Sequence, residues 1–196
     1  MASKYIILDT NIISEAQKPR PRPELSRWLE DLSPSIVAIP FSAVFETSYG
    51  IKLVEKSHPE KAERLTEWQR QLLGFDFVMP QCTAEVAQLL AEMASAAPLK
   101  HYWLNPTGPW EKSRRLKFGS DPLIAATAIV HSMPIATLDV RDFALINHYF
   151  ALPGVFHPLS GEWIIPPPEG WTFERDENWH EHKESRTAGN VIRLRA

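Results

Sequence analysis

Short apolar runs alternate with helical stripes along most of this chain. Strands are predicted at residues 5–8, 36–39, 75–79 and 133–138, and the first of them is a continuous apolar run with branched side chains that indicates a buried strand. Apolar residues at helical spacing predict helices over 24–31, 42–56, 59–73 and 83–97, and Ser120 is a plausible N-cap of a further, nearly all-apolar helix. Strands that alternate with helices indicate an α/β fold with a parallel sheet.

Acidic residues recur where these elements begin or end. Asp9 follows the first strand, Glu46 lies about one turn inside the helix after the second, Asp121 opens the apolar helix and Asp139 follows strand 133–138. Since ligands bind beyond the carboxyl ends of parallel strands, the four carboxylates are expected at one edge of the sheet. A simpler alternative is that Asp9 only caps a helix and that Glu46 only favours a helix dipole.

Clustered carboxylates repel one another unless protons or a divalent cation neutralise them. Oxygen ligands without cysteine or a well-placed histidine favour Mg²⁺ or Mn²⁺ over zinc, and such an ion activates water for phosphodiester cleavage. We therefore predict one metal site, with Asp9 and Asp121 as direct ligands and with Glu46 and Asp139 acting partly through bound water.

Composition narrows the class of protein. With 196 residues, 44% of them hydrophobic and 23% charged, the chain is expected to form one globular domain with appendages. Cys82 is the single cysteine, which excludes an intramolecular disulfide and fits a reducing cytoplasm. No apolar run has the length of a signal peptide or a membrane helix, so a soluble cytoplasmic protein is expected.

Basic residues are concentrated in two segments, although the formal net charge is −3. Phosphate must be attracted beside an acidic centre, so these segments are candidates for binding an RNA backbone. Aromatic residues in the second segment, such as Tyr102 and Trp110, are suited to stacking on bases or to holding the segment against the core. Ordinary solvated loops are the alternative. The candidate RNA-binding residues are Lys18, Arg20 and Arg22 in the first segment, and Lys112, Arg114, Arg115 and Lys117 in the second.

The α/β pattern ends near residues 155–156, so the domain is expected to span residues 1–160, with 98–119 as a long basic and aromatic loop. Residues 161–196 are expected to form an extended or partly disordered tail, because three consecutive prolines precede a mixed-charge segment. Trp163, Trp171 and Trp179 recur every eight residues. These tryptophans could dock the tail on its own domain or on a partner, or their regular spacing is a coincidence.

Four segments, in order over roughly residues 4–157, resemble the successive motifs of PIN-domain proteins, particularly the VapC and FitB type of toxin. The resemblance is specific because the motifs fall where the residues themselves predict strand ends and helix starts. The segments are Ile7-Leu8-Asp9-Thr10-Asn11-Ile12-Ile13-Ser14-Glu15, the helix with Glu46, Ser120-Asp121-Pro122-Leu123-Ile124-Ala125-Ala126-Thr127-Ala128, and Ala136-Thr137-Leu138-Asp139-Val140-Arg141-Asp142-Phe143.

This resemblance implies a three-layer α/β/α PIN-like fold with a central parallel sheet. It also implies a Mg²⁺- or Mn²⁺-dependent endoribonuclease that forms a homodimer and is neutralised by a small cognate antitoxin. Asp9, Glu46, Asp121 and Asp139 correspond to the family's acidic quartet, and Asn11 and Thr137 are its polar neighbours.

The chain departs from the family pattern at Leu138, where the family often has Arg or Lys, and the tail lies outside the resemblance. Two alternatives to the nuclease remain open. An inactive PIN-type module would bind RNA or a partner without cleaving. A haloacid-dehalogenase-like phosphatase would normally need a second aspartate where this chain has Asn11.

Overall fold

A five-stranded sheet forms the centre of the molecule in the computed structural model, which describes residues 3–103 and 119–173. Its strands are β1 (Ile6–Leu8), β2 (Val37–Ala38), β3 (Ile135–Ala136), β4 (Val155–His157) and β5 (Glu162–Ile165), in the spatial order β2-β1-β3-β4-β5. Strands β1 to β4 are parallel, and β5 runs antiparallel to β4 at the edge. The parallel sheet expected from the sequence is confirmed, with one antiparallel strand added.

Helices connect the strands at positions close to those predicted. Thr83 accepts a hydrogen bond from the Val86 amide as a helix cap, and Pro59 occupies a first-turn position where a missing N–H costs nothing. In the described part of the chain, no helix combines the length and apolarity needed to cross a membrane. The helices are α1 (Thr10–Ala16), α2 (Pro23–Asp31), α3 (Phe41–Glu55), α4 (Pro59–Leu72), α5 (Ala84–Ser95), α6 (Ser120–His131) and α7 (Val140–Tyr149), with 3₁₀ turns at Pro34–Ile36 and Ala97–Tyr102.

Alternating side chains of β1 separate two hydrophobic cores. Ile6 and Leu8 pack with residues of α1 to α4 on one face of the sheet, whereas Ile7 packs with residues of α5 to α7 on the other. Successive side chains of a strand point to opposite faces, so a continuous apolar run fits a strand covered on both sides. The result is the three-layer α/β/α arrangement.

The run at 75–79 differs from its prediction as a strand. Only Val78 pairs with the sheet, through a bridge to Ala38 of β2. The Val78 amide donates to the Val37 carbonyl at 3.1 Å, and the Ile39 amide donates to the Val78 carbonyl at 2.9 Å. This segment therefore covers the β2 edge of the sheet with two hydrogen bonds and does not add a full strand.

The sequence boundary at residue 160 falls inside the folded part of the molecule. Strand β5 pairs with β4, and the residues after it return to the core, where Trp171 is buried. Trp163 and Trp171 do act as anchors, with their rings 5.3 Å apart, whereas Trp179 lies outside the described residues. Residues 161–173 therefore belong to the folded part of the molecule, in contrast to the extended or partly disordered tail expected from residue 161. An aromatic cluster holds this segment and consists of Trp28, Phe156, Trp163, Trp171 and Phe173.

Candidate active site

The four predicted acids lie at the carboxyl edge of the sheet. Asp9 directly follows β1, Glu46 lies in the helix that follows β2, Asp121 is in the first turn of α6 and Asp139 precedes α7. The charges of Asp9, Glu46 and Asp139 all act on Asp121, so the acids share one electrostatic environment. Exposure increases outward, from the buried Asp9 through the partly buried Glu46 and Asp121 to the exposed Asp139.

The Asp9 carboxylate is a buried hydrogen-bond acceptor with 3% exposure. Its Oδ2 accepts from Asn11 Nδ2 at 2.6 Å and from Thr137 Oγ1 at 2.7 Å. Asp9 occupies the N-cap position of α1, where the Thr10 and Asn11 amides favour its charged form, although its side chain does not form a full capping hydrogen bond. Helix capping alone therefore does not account for a carboxylate at this position.

Asn11 and Thr137 connect the end of β1 to the segment between β3 and α7. Asn11 also donates to Thr137 Oγ1 at 3.1 Å and accepts from the Leu138 amide at 3.0 Å. Thr137 Oγ1 in turn accepts from the Asp139 amide at 2.9 Å. The Leu138 side chain packs against the hydrophobic core, so only its backbone contributes to this network. Asp9 and Thr137 are 128 residues apart in sequence. The hydrogen bonds that join them also fix the position of Asp9 relative to the Asp139 backbone.

Ser120 has a different role from the predicted helix cap. Gly119 occupies the N-cap position and Ser120 is the first residue of α6. The Ser120 hydroxyl instead donates to Glu46 Oε1 at 2.5 Å. This bond joins α3 to the start of α6, immediately beside Asp121.

Burial and mutual repulsion shift the pKa values of the two innermost acids. Burial raises the pKa of Asp9 to about 6 and the charge of Glu46 adds to this, while hydrogen bonds, chiefly from Thr137, act in the opposite direction. Burial raises the pKa of Asp121 to about 7, with further contributions from the charges of Asp9, Asp142, Glu46 and Asp139. Both groups thus bind protons more tightly than free aspartate does.

Within residues 3–103 and 119–173, no Lys, Arg or His forms an ion pair with these carboxylates. Of the predicted RNA-binding residues, Lys18 pairs with the buried Glu15 at 2.6 Å, the Arg22 guanidinium lies 4.0 Å from it, and Arg20 is exposed. Lys112, Arg114, Arg115 and Lys117 lie outside the described residues.

Two residues near the acids were not among the predicted site residues. Asp142, in the first turn of α7, acts on Asp121 through its charge. Tyr102 donates its hydroxyl hydrogen to Asp142 Oδ1 at 2.9 Å. Tyr102 and Asp142 are 40 residues apart, so no local spacing reveals the pair.

The donor set fits a hard divalent ion in its chemistry, because it offers only oxygen atoms and carries unneutralised charge. A second requirement is geometric. In the described part of the chain, no three His, Cys, Asp or Glu side chains are placed to hold one ion as they stand. Ion binding therefore requires rotation of carboxylates from their present orientations, among them Glu46 from its hydrogen bond to Ser120.

Comparison with known proteins places this site in a family. The sequence model of the family described as PIN domain matches residues 6–148. The chain is 28% identical over 160 residues to Toxin FitB of Neisseria gonorrhoeae, which covers 78% of this chain and 97% of FitB. It is 27% identical over 145 residues to plasmid stability protein StbB of Pseudomonas syringae pv. tomato, which covers 70% of this chain and 90% of StbB.

The fold is similar to a solved relative. The crystal structure of FitAcB from Neisseria gonorrhoeae superposes with a TM-score of 0.57 at 28% identity, covering 78% of this chain and 97% of that chain. The family match includes Asp9 after β1, Asp121 at the start of α6 and Asp139 before α7. The chain belongs to the PIN-domain family, and Toxin FitB is among the relatives to which it is similar.

Proposed function

We propose that this protein is a Mg²⁺- or Mn²⁺-dependent endoribonuclease that acts as the toxin of a toxin-antitoxin pair. The observation that carries the proposal is a buried Asp9 carboxylate facing other acids, with no cationic side chain paired to them in the described residues. Burying a carboxylate charge without a compensating positive charge is unfavourable in free energy, and a bound divalent cation would supply that compensation. PIN-domain membership supports nuclease activity, and the similarity to Toxin FitB supports the toxin role.

In this proposal, Asp9 and Asp121 hold the ion directly, and Glu46 and Asp139 act partly through bound water. A bound Mg²⁺ or Mn²⁺ supplies activation of water and stabilisation of the charge that develops on the phosphodiester. Asn11 and Thr137 hold the Asp9 carboxylate in one orientation through two short hydrogen bonds. Ser120 holds the Glu46 carboxylate at the start of α6, and Glu46 would leave this hydrogen bond when the ion binds.

Basic residues are proposed to bring the RNA backbone to this acidic edge. Lys18, Arg20 and Arg22 are exposed at the end of α1 and in the turn after it, although Glu15 offsets part of their charge. Lys112, Arg114, Arg115 and Lys117 complete the proposed set. Their attraction for phosphate would decrease as salt is added.

Partners are also proposed: a small cognate antitoxin and a second copy of this chain. Helix α3 has an apolar stripe, defined as Phe41, Phe45, Tyr49 and Leu53, whose residues are 42% to 60% exposed. The Phe41, Phe45 and Tyr49 rings stack along the helix at 6.3 and 6.2 Å. A row of i, i+4 side chains is the geometry by which two helices pack, and one stripe can meet its own copy about a twofold axis. We assign this stripe to the homodimer.

Cleavage of RNA by the purified protein tests the enzymatic proposal. Mn²⁺ is expected to support cleavage and excess chelator to stop it. Replacing Asp121 with Asn should lower the rate at least about 100-fold, because it removes a charge from the ion site. Replacing the exposed Asp76 with Asn is the matched control and should leave the rate unchanged.

Two results would count against this proposal. RNA binding without cleavage at any Mn²⁺ concentration would favour the inactive PIN-type module. Full activity of Asp121→Asn would remove that residue from the site. The phosphatase alternative loses its basis in the fold, because the chain belongs to the PIN-domain family.

A further inference from the structure

We propose that Tyr102 and Asp142 form a positioning pair that sets the separation of Asp121 and Asp139 and thereby the affinity of the site for a divalent cation. The inference rests on the proposed ion-dependent function. It assigns a role to two residues that lie beside the acidic quartet and are not part of it. Tyr102 would act through its hydrogen bond and would not touch the reacting atoms.

The first observation is the hydrogen bond between the 3₁₀ turn Ala97–Tyr102 and the start of α7. The half-buried Tyr102 hydroxyl lies 2.9 Å from Asp142 Oδ1 and 3.3 Å from the Asp142 carbonyl oxygen, and donates toward both. Burial raises the pKa of the Tyr102 phenol above its usual range, and the bond to Asp142 adds to the effect. The phenol therefore keeps its proton and remains a donor throughout the neutral range.

A second contact ties the same turn to the start of α6. Trp103, the residue after Tyr102, lies so close to Gly119 that a Cβ at Gly119 would be 2.9 Å from the Cε2 and Nε1 atoms of the indole. Gly119 is the N-cap of α6, two residues before Asp121. Buried Leu99 anchors the turn in the core.

Together these contacts make the turn a bridge between two helix starts. Trp103 contacts the start of α6, which carries Asp121, and Tyr102 contacts the first turn of α7, whose N-cap is Asp139. The charges of both Asp142 and Asp139 reach Asp121, so a small rotation of α7 would change the distances among the acids. Residues that orient ligands from outside in this way commonly change metal affinity 10- to 100-fold when mutated.

Tyr102→Phe tests the inference because it removes one hydroxyl and keeps the ring. Calorimetric titration of the metal-free protein with Mn²⁺ should show about 10-fold weaker binding than for wild type. In the nuclease assay, kcat should fall while the KM for RNA stays the same, because the hydroxyl does not contact the RNA backbone. Tyr149→Phe, at an exposed tyrosine on α7, is the matched control and should titrate like wild type.

Two substitutions of Asp142 separate the hydrogen bond from the charge. Asp142→Asn keeps an acceptor oxygen for Tyr102 and should retain more Mn²⁺ affinity than Asp142→Ala, which keeps none. Equal losses in these two variants would overturn the inference, since charge alone would then explain them. Circular dichroism and melting temperature confirm that each variant is folded before titration.

The outcomes distinguish the inference from the proposed function. Wild-type protein that binds no Mn²⁺ and cleaves no RNA would overturn both. Wild-type protein that binds Mn²⁺ as tightly as Tyr102→Phe does would overturn the positioning role alone and leave the nuclease proposal standing.

Discussion

Opposing interactions act on the ionisation of single residues in the site, and Asp9 is the clearest example. Its carboxylate is 3% exposed and accepts two short hydrogen bonds, which favour the charged form. Burial and the charge of Glu46 favour the protonated form and raise its pKa to about 6. The second influence is the stronger one, so in the absence of an ion Asp9 destabilises the folded state above this pKa.

Replacing Asp9 with Asn should abolish RNA cleavage and make the metal-free protein more stable at pH 7.5. An acid with a raised native pKa stabilises the fold when protonated, and this contribution is lost as pH rises from about 4 through about 6. The shift of Asp9 from 3.8 to about 6 corresponds to roughly 3 kcal/mol, of which the amide should recover about 1 to 2 kcal/mol. Urea unfolding at pH 5 and pH 7.5 measures the gain.

The comparison of the two pH values serves as the control for this variant. Near pH 5 the folded wild-type carboxyl is largely protonated but the unfolded one is ionised, so about half of the stabilising contribution is already lost, and the difference in the free energy of unfolding should be smaller than at pH 7.5. An equal difference at both pH values would show that packing, not charge, governs the effect. A fully active variant would contradict the proposed mechanism.

Sequence reasoning found the residues whose neighbours along the chain explain them. A strand that ends on Asp9 and a helix that opens with Asp121 are local patterns, and the structure places both at the sheet edge. The hydrogen-bond partners of Ser120 and Tyr102 are 74 and 40 residues away in sequence. The local pattern of apolar and polar residues therefore could not predict these contacts. Serine is a common helix N-cap residue, so the sequence favoured that role for Ser120. Its actual hydrogen bond depends on where the fold places Glu46.

At the scale of elements, the hairpin of β4 and β5 extends the domain past its expected end. Strand β5 is only Glu162–Ile165, and prolines follow it at once, so its sequence resembles a linker. Its stability comes from pairing with β4 and from the aromatic cluster, both of which are tertiary. Propensity alone cannot predict a strand of this kind.

Replacing Trp171 with Ala should lower the free energy of unfolding by about 3 to 5 kcal/mol, because a buried ring would leave a cavity. Replacing Ile164 with Ala should cost less than about 1 kcal/mol, since this side chain on β5 is 42% exposed. Thermal or urea unfolding of the two variants provides the measurement. Similar losses for both would mean that the cluster contributes little to the fold.

For the whole molecule, the alternation of strands and helices predicted the parallel sheet, and the resemblance to PIN-domain proteins implied the three layers. The sequence did not predict the exposed stripe on α3, since Phe41, Phe45 and Tyr49 also fit the core-facing side of a helix. The buried residues of α3 are instead Ser42, Ala43 and Ile51. The small side chains of Ser42 and Ala43 allow close packing on the inward face, and the large rings lie outside.

Replacing Tyr49 and Leu53 together with Lys should convert the proposed dimer to a monomer, because four like charges would meet at a twofold interface. Light scattering coupled to size-exclusion chromatography measures the mass. Replacing exposed Glu63 and Glu60 of α4 with Lys is the control, and its mass should equal that of wild type. A variant that stays dimeric but no longer binds the antitoxin would assign the stripe to the antitoxin.

The contact between Trp103 and Gly119 also bears on how the chain tolerates change in length. The chain leaves the described fold beside the point where it re-enters, so residues 104–118 join two ends that are already held together. The entropy cost of closing a loop grows only with the logarithm of its length. Insertions or deletions between residues 104 and 118 should therefore change the free energy of folding only slightly, and the acids on either side should keep their spacing.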